Sequence, residues 1–191
     1  MSRGSDPARP EMPMAEPLDI VLYPDPRLRK PTKPVEAVDE GIRAMAERMI
    51  VTMHRAGGIG IAAPQVGWDR RVCIVSGTGD PGDEIVLVNP RIVRQEGSAP
   101  MEEGCLSFPG VAAVIVRAAE ATVEYLDLEG KPRTLSASNL LGRCILHEVD
   151  HLDGVLFTTR FTPADRIRTK KALRALEERL AARNALAGAA R

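Results

Sequence analysis

The chain has 191 residues, 26 basic and 26 acidic side chains, and three cysteines. That length suits one domain with its own core, and the balanced charge argues against DNA or an anionic membrane as a whole-molecule partner. An odd cysteine count without paired spacing argues against a disulfide framework and for a reducing, cytoplasmic setting.

The opening MSRGSDPARPEMPMAEP is polar and rich in proline, with no apolar core of a secretory signal. Residues 1–17 are therefore expected to be a disordered tail, a tag or a misassigned start being the bland alternative. No stretch approaches the roughly 20 apolar residues of a membrane-spanning helix. Residues 39–56 carry Ile42, Met45, Met49, Ile50 and Met53 at helical spacing, with Asp39 as N-cap and Gly57 as stop. These side chains are expected to pack in a core, and His54 to be solvated near the helix end.

Glycine-rich AGGIGIAAPQVG follows, and then a series of strand-like runs: Arg71–Ser76, Glu84–Asn89, Arg91–Gln95, Val111–Arg117 and Ala121–Asp127. LEGK at 128–131 reads as a hairpin turn into Pro132–Ala137. Ser138 or Asn139 is placed to cap a helix running to Leu152 and closed by Gly154. A last helix spans about Pro163–Leu186. The order predicts an α+β domain over 18–191, with mostly antiparallel sheets packed around a central helix and a helix at the C-terminus.

That central helix contains LHEVDHLDG. His147 and His151 stand at i and i+4, so they share a face and can converge on one ion. Glu148 is rotated about 100° from His147, poorly placed as a ligand but able to take a proton from water at the ion. HExxH alone is a moderate signal, and a chance polar pattern is its alternative.

Two imidazoles need a further protein ligand. Phe157 occupies the place of the third histidine in the metzincin pattern, which excludes that class. The downstream carboxylates Asp165, Glu177 and Glu178 sit on a charged helix that reads as a solvated face. Cys144 shares the histidines' face but reaches poorly, and fits a pocket wall better. Cys105, in the turn-rich MEEGCLSFPG, can present a thiolate; a buried structural cysteine describes Cys73 better.

Together AGGIGIAAPQ, EEGCLSFPG and LHEVDHLDG, in this order, resemble bacterial peptide deformylases of the iron type, over about residues 18–185. YPDPRLRKPTKPV and GVLFTTR frame the match. The resemblance implies metal ligands Cys105, His147 and His151, with Glu148 as general base and then acid. It implies Fe(II) as cofactor, with Ni(II), Co(II) or Zn(II) able to substitute, although thiolate and imidazole donors alone do not choose among them. Gln65 and the Leu106 N–H would donate to the oxyanion, and Gly58 and Gly60 would let an extended peptide pair closely. Ile59, Met101, Leu140 and Cys144 would wall a methionine pocket, with Glu103 at its mouth.

The implied reaction removes the formyl group from nascent N-formylmethionyl peptides and releases formate. An HExxH metallopeptidase and an inactive deformylase-like paralogue are the rival readings. Leu146 stands where the family commonly has glutamine, Ile61 where it has leucine, and the Gly110–Val116 loop is uncharged. Arg117 matches a family arginine and is read as structural. From Asp165 onward eight basic side chains face three acidic ones. The resemblance implies that this terminal helix can dock on the ribosome, as a basic helix suits rRNA phosphates; a solvated face beside Leu173, Leu176 and Leu180 is the alternative.

Overall fold

The computed structural model describes residues 15–189. Residues 1–14 of the expected tail lie outside that range, and Ala15–Pro17 have no regular secondary structure.

The first helix, α1 (Glu40–Arg55), begins where the Asp39 carboxylate accepts the Ile42 N–H at 2.9 Å. Three strands follow: β1 (Gly60–Ala62), β2 (Val72–Ser76) and β3 (Glu84–Glu96). The hairpin of β4 (Ala99–Gly104) and β5 (Ala112–Arg117) comes next, then β6 (Glu120–Leu126) and β7 (Pro132–Ser138). The chain closes with α2 (Asn139–Leu152) and α3 (Pro163–Ala189). Strands β1-β2-β3-β6-β7 form one sheet in that order and β4-β5 a second, with all pairs antiparallel.

The VCIV run of β2 explains the layering. Val72 and Ile74 face α1, packing with Ile42, Met49 and Met53. Cys73 and Val75 face the other way and pack with Ile145, Val149 and Leu152 of α2. Such a strand, buried on both faces, reads as continuously apolar. Each aliphatic side chain removed from water contributes about 1.5–3 kcal/mol, so the sheet holds α2 firmly, and His147 of α2 meets Phe157 of a third cluster at 5.9 Å between ring centroids. That cluster gathers Phe108, Ile115, Phe157, Phe161 and Leu176.

Several expectations are corrected. The runs Glu84–Asn89 and Arg91–Gln95 are one strand, whose register shifts between Val88 and Arg91. Asn89 adopts φ +52° there, and its side-chain amide exchanges two 2.8 Å hydrogen bonds with the Val35 backbone. His54 is half-buried and paired with Glu84 instead of solvated. Asp165 is buried, accepting from the Thr162 hydroxyl at 2.6 Å and pairing with Arg168 at 2.9 Å. Ser138 is the N-cap of α2, but its side chain makes no capping hydrogen bond. At the other end Gly154 is obligatory: φ is +72°, and an added Cβ would stand 2.6 Å from the Arg29 carbonyl oxygen.

Candidate metal centre

Helix α2 carries His147 and His151 one turn apart, with ring centroids separated by 5.0 Å. The end of β4 brings Cys105 to the same point, its Sγ 3.2 Å from His151 Nε2. A tight turn, Phe108 N–H to the Cys105 carbonyl at 2.8 Å, fixes the cysteine just beyond the strand. The ligand atoms of Cys105, His147 and His151 all lie within 4.8 Å of one another, the one such group among the described residues.

What surrounds these atoms favours a cation. Glu103 Oε2 lies 3.0 Å from His147 Nδ1, so a proton on Nδ1 leaves the Nε2 lone pair free as a ligand. Burial works against a charged His147, yet Cys105 and Glu103 outweigh it and push the imidazole up to about 10. The Glu103 carboxylate that attracts a proton to His147 also favours a metal ion at its ring. His151, by contrast, is held well below its usual value by burial and by the positive His147 and Arg117, and stays neutral. One thiolate and two imidazoles form a donor set suited to Fe(II), Ni(II), Co(II) or Zn(II), so the residues present fit a divalent transition metal.

Glu103 is the hub behind His147. Besides His147 it accepts from Arg117 Nε at 2.7 Å, Arg117 Nη2 at 3.0 Å and Arg143 Nη1 at 2.5 Å. Burial opposes its ionisation, but the hydrogen bonds from His147 and Arg117 prevail and hold it down at about 2, against an ordinary 4.5. A folded-state value below the unfolded one stabilises the fold fully above pH 4.5, and that gain is lost as pH falls toward 2. Replacing Glu103 by Gln also leaves two buried arginines short of an anion, which typically costs about 3–5 kcal/mol. Urea unfolding of Glu103→Gln should show that loss at pH 7, narrowing below pH 4.5 as the wild-type carboxylate protonates.

Glu148 lies on the cleft side of α2. Burial raises its carboxyl to about 7, and Oε2 has no hydrogen-bond partner although it is shielded from solvent. Gly60 makes room for it: an added Cβ would stand 2.5 Å from both Glu148 Oε1 and Cys144 Sγ. Gly60→Ala must therefore displace the carboxylate. A displacement approaching 1 Å lowers turnover by up to about 10²-fold, measurable as kcat at unchanged metal content.

The cleft, about 580 Å³, runs past this group and is lined by Gly58, Ile59, Gly60, Gln65, Cys105 and Leu106 on one side. Leu140, Arg143, Cys144, His147 and Glu148 line the other. Gln65 is oriented by the Ala62 N–H, which donates to its Oε1 at 2.8 Å, while its Nε2 lies 3.3 Å from Ser107 Oγ and 3.6 Å from Cys105 Sγ. Cys144 donates to the Ile59 carbonyl at 3.3 Å. Met101 is not among the lining residues; it sits within β4, opposite Ile115. Glu103 is among the residues that line the cleft, although it is almost fully buried and bonded to His147. Phe157, where a third histidine was sought, packs edge-on to Phe108 at 5.0 Å in the core.

Sequence reasoning missed Arg143 and the depth of Arg117. Each is about 5% exposed, and both bind Glu103. The signal was present as a lone arginine inside the apolar run LLGRCIL, a place where a charge needs a buried partner.

An α+β domain whose HExxH helix meets a cysteine at a neighbouring strand end is built as a metal-dependent hydrolase. Residues 17–167 match the family described as polypeptide deformylase. A peptide deformylase of Nitrosococcus oceani is 47% identical over 154 residues, covering 81% of this chain and 92% of that protein. The crystal structure of a peptide deformylase from Legionella pneumophila is 42% identical, with a TM-score of 0.80, covering 87% of this chain and 98% of the other. One from Synechococcus elongatus, in complex with actinonin, is 41% identical with a TM-score of 0.79, covering 83% and 87%. The chain belongs to the polypeptide deformylase family, whose members are hydrolases that remove the N-formyl group from nascent peptides.

Proposed function

We propose that this chain deformylates N-formylmethionyl nascent peptides in the cytoplasm, with Cys105, His147 and His151 holding Fe(II) and Glu148 acting as the base. The observation that carries this reading is the buried, partnerless Glu148 Oε2 beside three converging donors at the wall of a cleft. An ion held there supplies Lewis-acid activation of water and of the formyl carbonyl.

Glu148, titrating near 7, accepts the proton of the attacking water and returns it to the departing amine. Gln65 and Leu106 line the cleft beside Cys105; the Gln65 amide and the Leu106 N–H donate in this reading to the oxygen on which charge develops, each worth about 3–4 kcal/mol. Strand β1 is an edge strand, and Gly58–Gly60 offer it to an extended peptide. Ile59, Leu140 and Cys144 supply apolar wall for the methionine side chain. The test is formate release from formyl-Met-Ala-Ser by Fe(II)- or Ni(II)-loaded protein. Cleavage of internal peptide bonds without formate would favour the metallopeptidase reading, and no product from metal-loaded protein would favour the inactive paralogue.

The ribosome is the second partner in this reading. Leu176 anchors α3 in the core, whereas Arg166, Lys170, Lys171 and Arg174 are exposed. A basic outward face suits rRNA phosphates. Triple reversal, Lys170→Glu, Lys171→Glu and Arg174→Glu, should weaken co-sedimentation with ribosomes at about 0.1 M salt and flatten its salt dependence. Unchanged binding would remove α3 from the account.

A further inference from the structure

The three donor residues come from two separate pieces of chain. Helix α2 supplies His147 and His151, and the end of β4 supplies Cys105. The five-stranded sheet packs directly against α2, whereas the β4–β5 hairpin reaches it through side chains. Among those side chains Arg143 has a particular geometry. It leaves α2 one turn before His147, and its Nη1 donates to Glu103 Oε1 at 2.5 Å and to the Ile115 carbonyl at 2.9 Å. Its Nη2 donates to the Ala99 carbonyl at 2.5 Å. One guanidinium thus grips the start of β4, its Glu103 and the middle of β5. Arg117 makes the reciprocal tie, from β5 to the Leu146 carbonyl at 3.3 Å and to Asp150 at 2.7 Å.

We propose that Arg143 is a positioning residue that fixes the hairpin carrying Cys105 against the helix carrying His147 and His151, and so controls retention of the ion. The inference rests on the metal reading given above. Its physical basis is the planar fork: three acceptors on two strands are met by two nitrogens of one rigid group. A lysine in its place keeps the charge opposite Glu103 but has a single ammonium, and cannot span Ala99, Ile115 and Glu103 in the same geometry.

The test uses Co(II)-loaded full-length protein, whose thiolate-to-cobalt absorption reports the Cys105 bond, with release of cobalt to a chelator followed in time. Disturbing a residue that supports metal ligands typically costs 10–100-fold in affinity or activity. Arg143→Met is expected to release cobalt at least tenfold faster and to weaken the thiolate band. Its KM for formyl-Met-Ala-Ser should move less than twofold at saturating metal. Arg143→Lys keeps the buried charge, which protects folding should the methionine variant fail to fold, and is expected to release cobalt nearly as fast. Wild-type release from Arg143→Lys would overturn the proposal, since charge alone would then suffice. Absence of a thiolate band in the wild type would instead overturn the ligand assignment beneath it.

Discussion

Glu148→Ala protein should bind one equivalent of metal and lose about 10²–10⁴ of its turnover. The carboxylate is not among the three converging donor residues, so its removal leaves the ligand set intact. What disappears is the group that holds the water proton. Its surroundings suit that role, since burial raises the carboxyl to about 7 and one oxygen is left without a hydrogen-bond partner. A carboxylate buried merely for packing would be expected to have both oxygens satisfied. Paired measurement of metal content and formate production checks the prediction. Loss of metal together with activity would make Glu148 a ligand, and full activity would make it a bystander.

Cys105→Ala should fail to retain metal through dialysis, while Cys73→Ala and Cys144→Ala keep close to one equivalent. The three thiols differ in surroundings more than in sequence. Burial, reinforced by the nearby Glu148 charge, pushes both the Cys73 and Cys144 thiols well above their usual range, so each stays protonated and is a poor ligand. Cys105 is only partly buried and lies 3.2 Å from His151 Nε2. Elemental analysis after dialysis distinguishes the three. Retention of a full equivalent by Cys105→Ala would send the search for the third ligand elsewhere.

Much of this centre was legible because HExxH encodes its own geometry. Helical spacing places His147 and His151 on one face, and Gly154 ends the helix where the chain must pass tightly over the Arg29 backbone. Asp39 likewise announced α1 through the capping bond it makes. Cys105 was not legible from spacing, since no local pattern connects a strand end to a helix far along the chain. Its turn-rich setting made it a candidate, and the resemblance carried by the three motifs implied its role as ligand.

The errors share a physical origin in partners supplied by tertiary structure. β1 is three residues inside a glycine-rich stretch, too short to show alternation. β4 was missed because its buried position is charged: Glu103 faces inward, against the usual pattern, and is neutralised by arginines from β5 and α2. The runs on either side of Pro90 were read as two strands, whereas one strand continues through an irregular register there. His54 and Asp165 read as surface residues until Glu84 and Thr162 were seen beside them. Met101 was assigned to the pocket by position, but it is not among the cleft-lining residues, whereas its strand neighbours Glu102, Glu103 and Gly104 are.

Leu146 stands where the family commonly has glutamine. Its side chain is buried on the far side of α2 from the cleft, and its carbonyl accepts from Arg117, so it touches the metal centre through Arg117 and Glu103. Ile61, fully buried in the α1 layer, keeps an aliphatic side chain in a core that accepts one.

The most direct test of the metal centre is X-ray absorption at the metal edge of Ni(II)-loaded protein, wild type beside Cys105→Ala loaded with excess metal. One sulfur and two imidazole ligands are expected in the wild type, with the sulfur absent from the variant. A wild-type spectrum without sulfur, or a sulfur signal that survives the substitution, would contradict the assignment of Cys105, His147 and His151 as the ligand set.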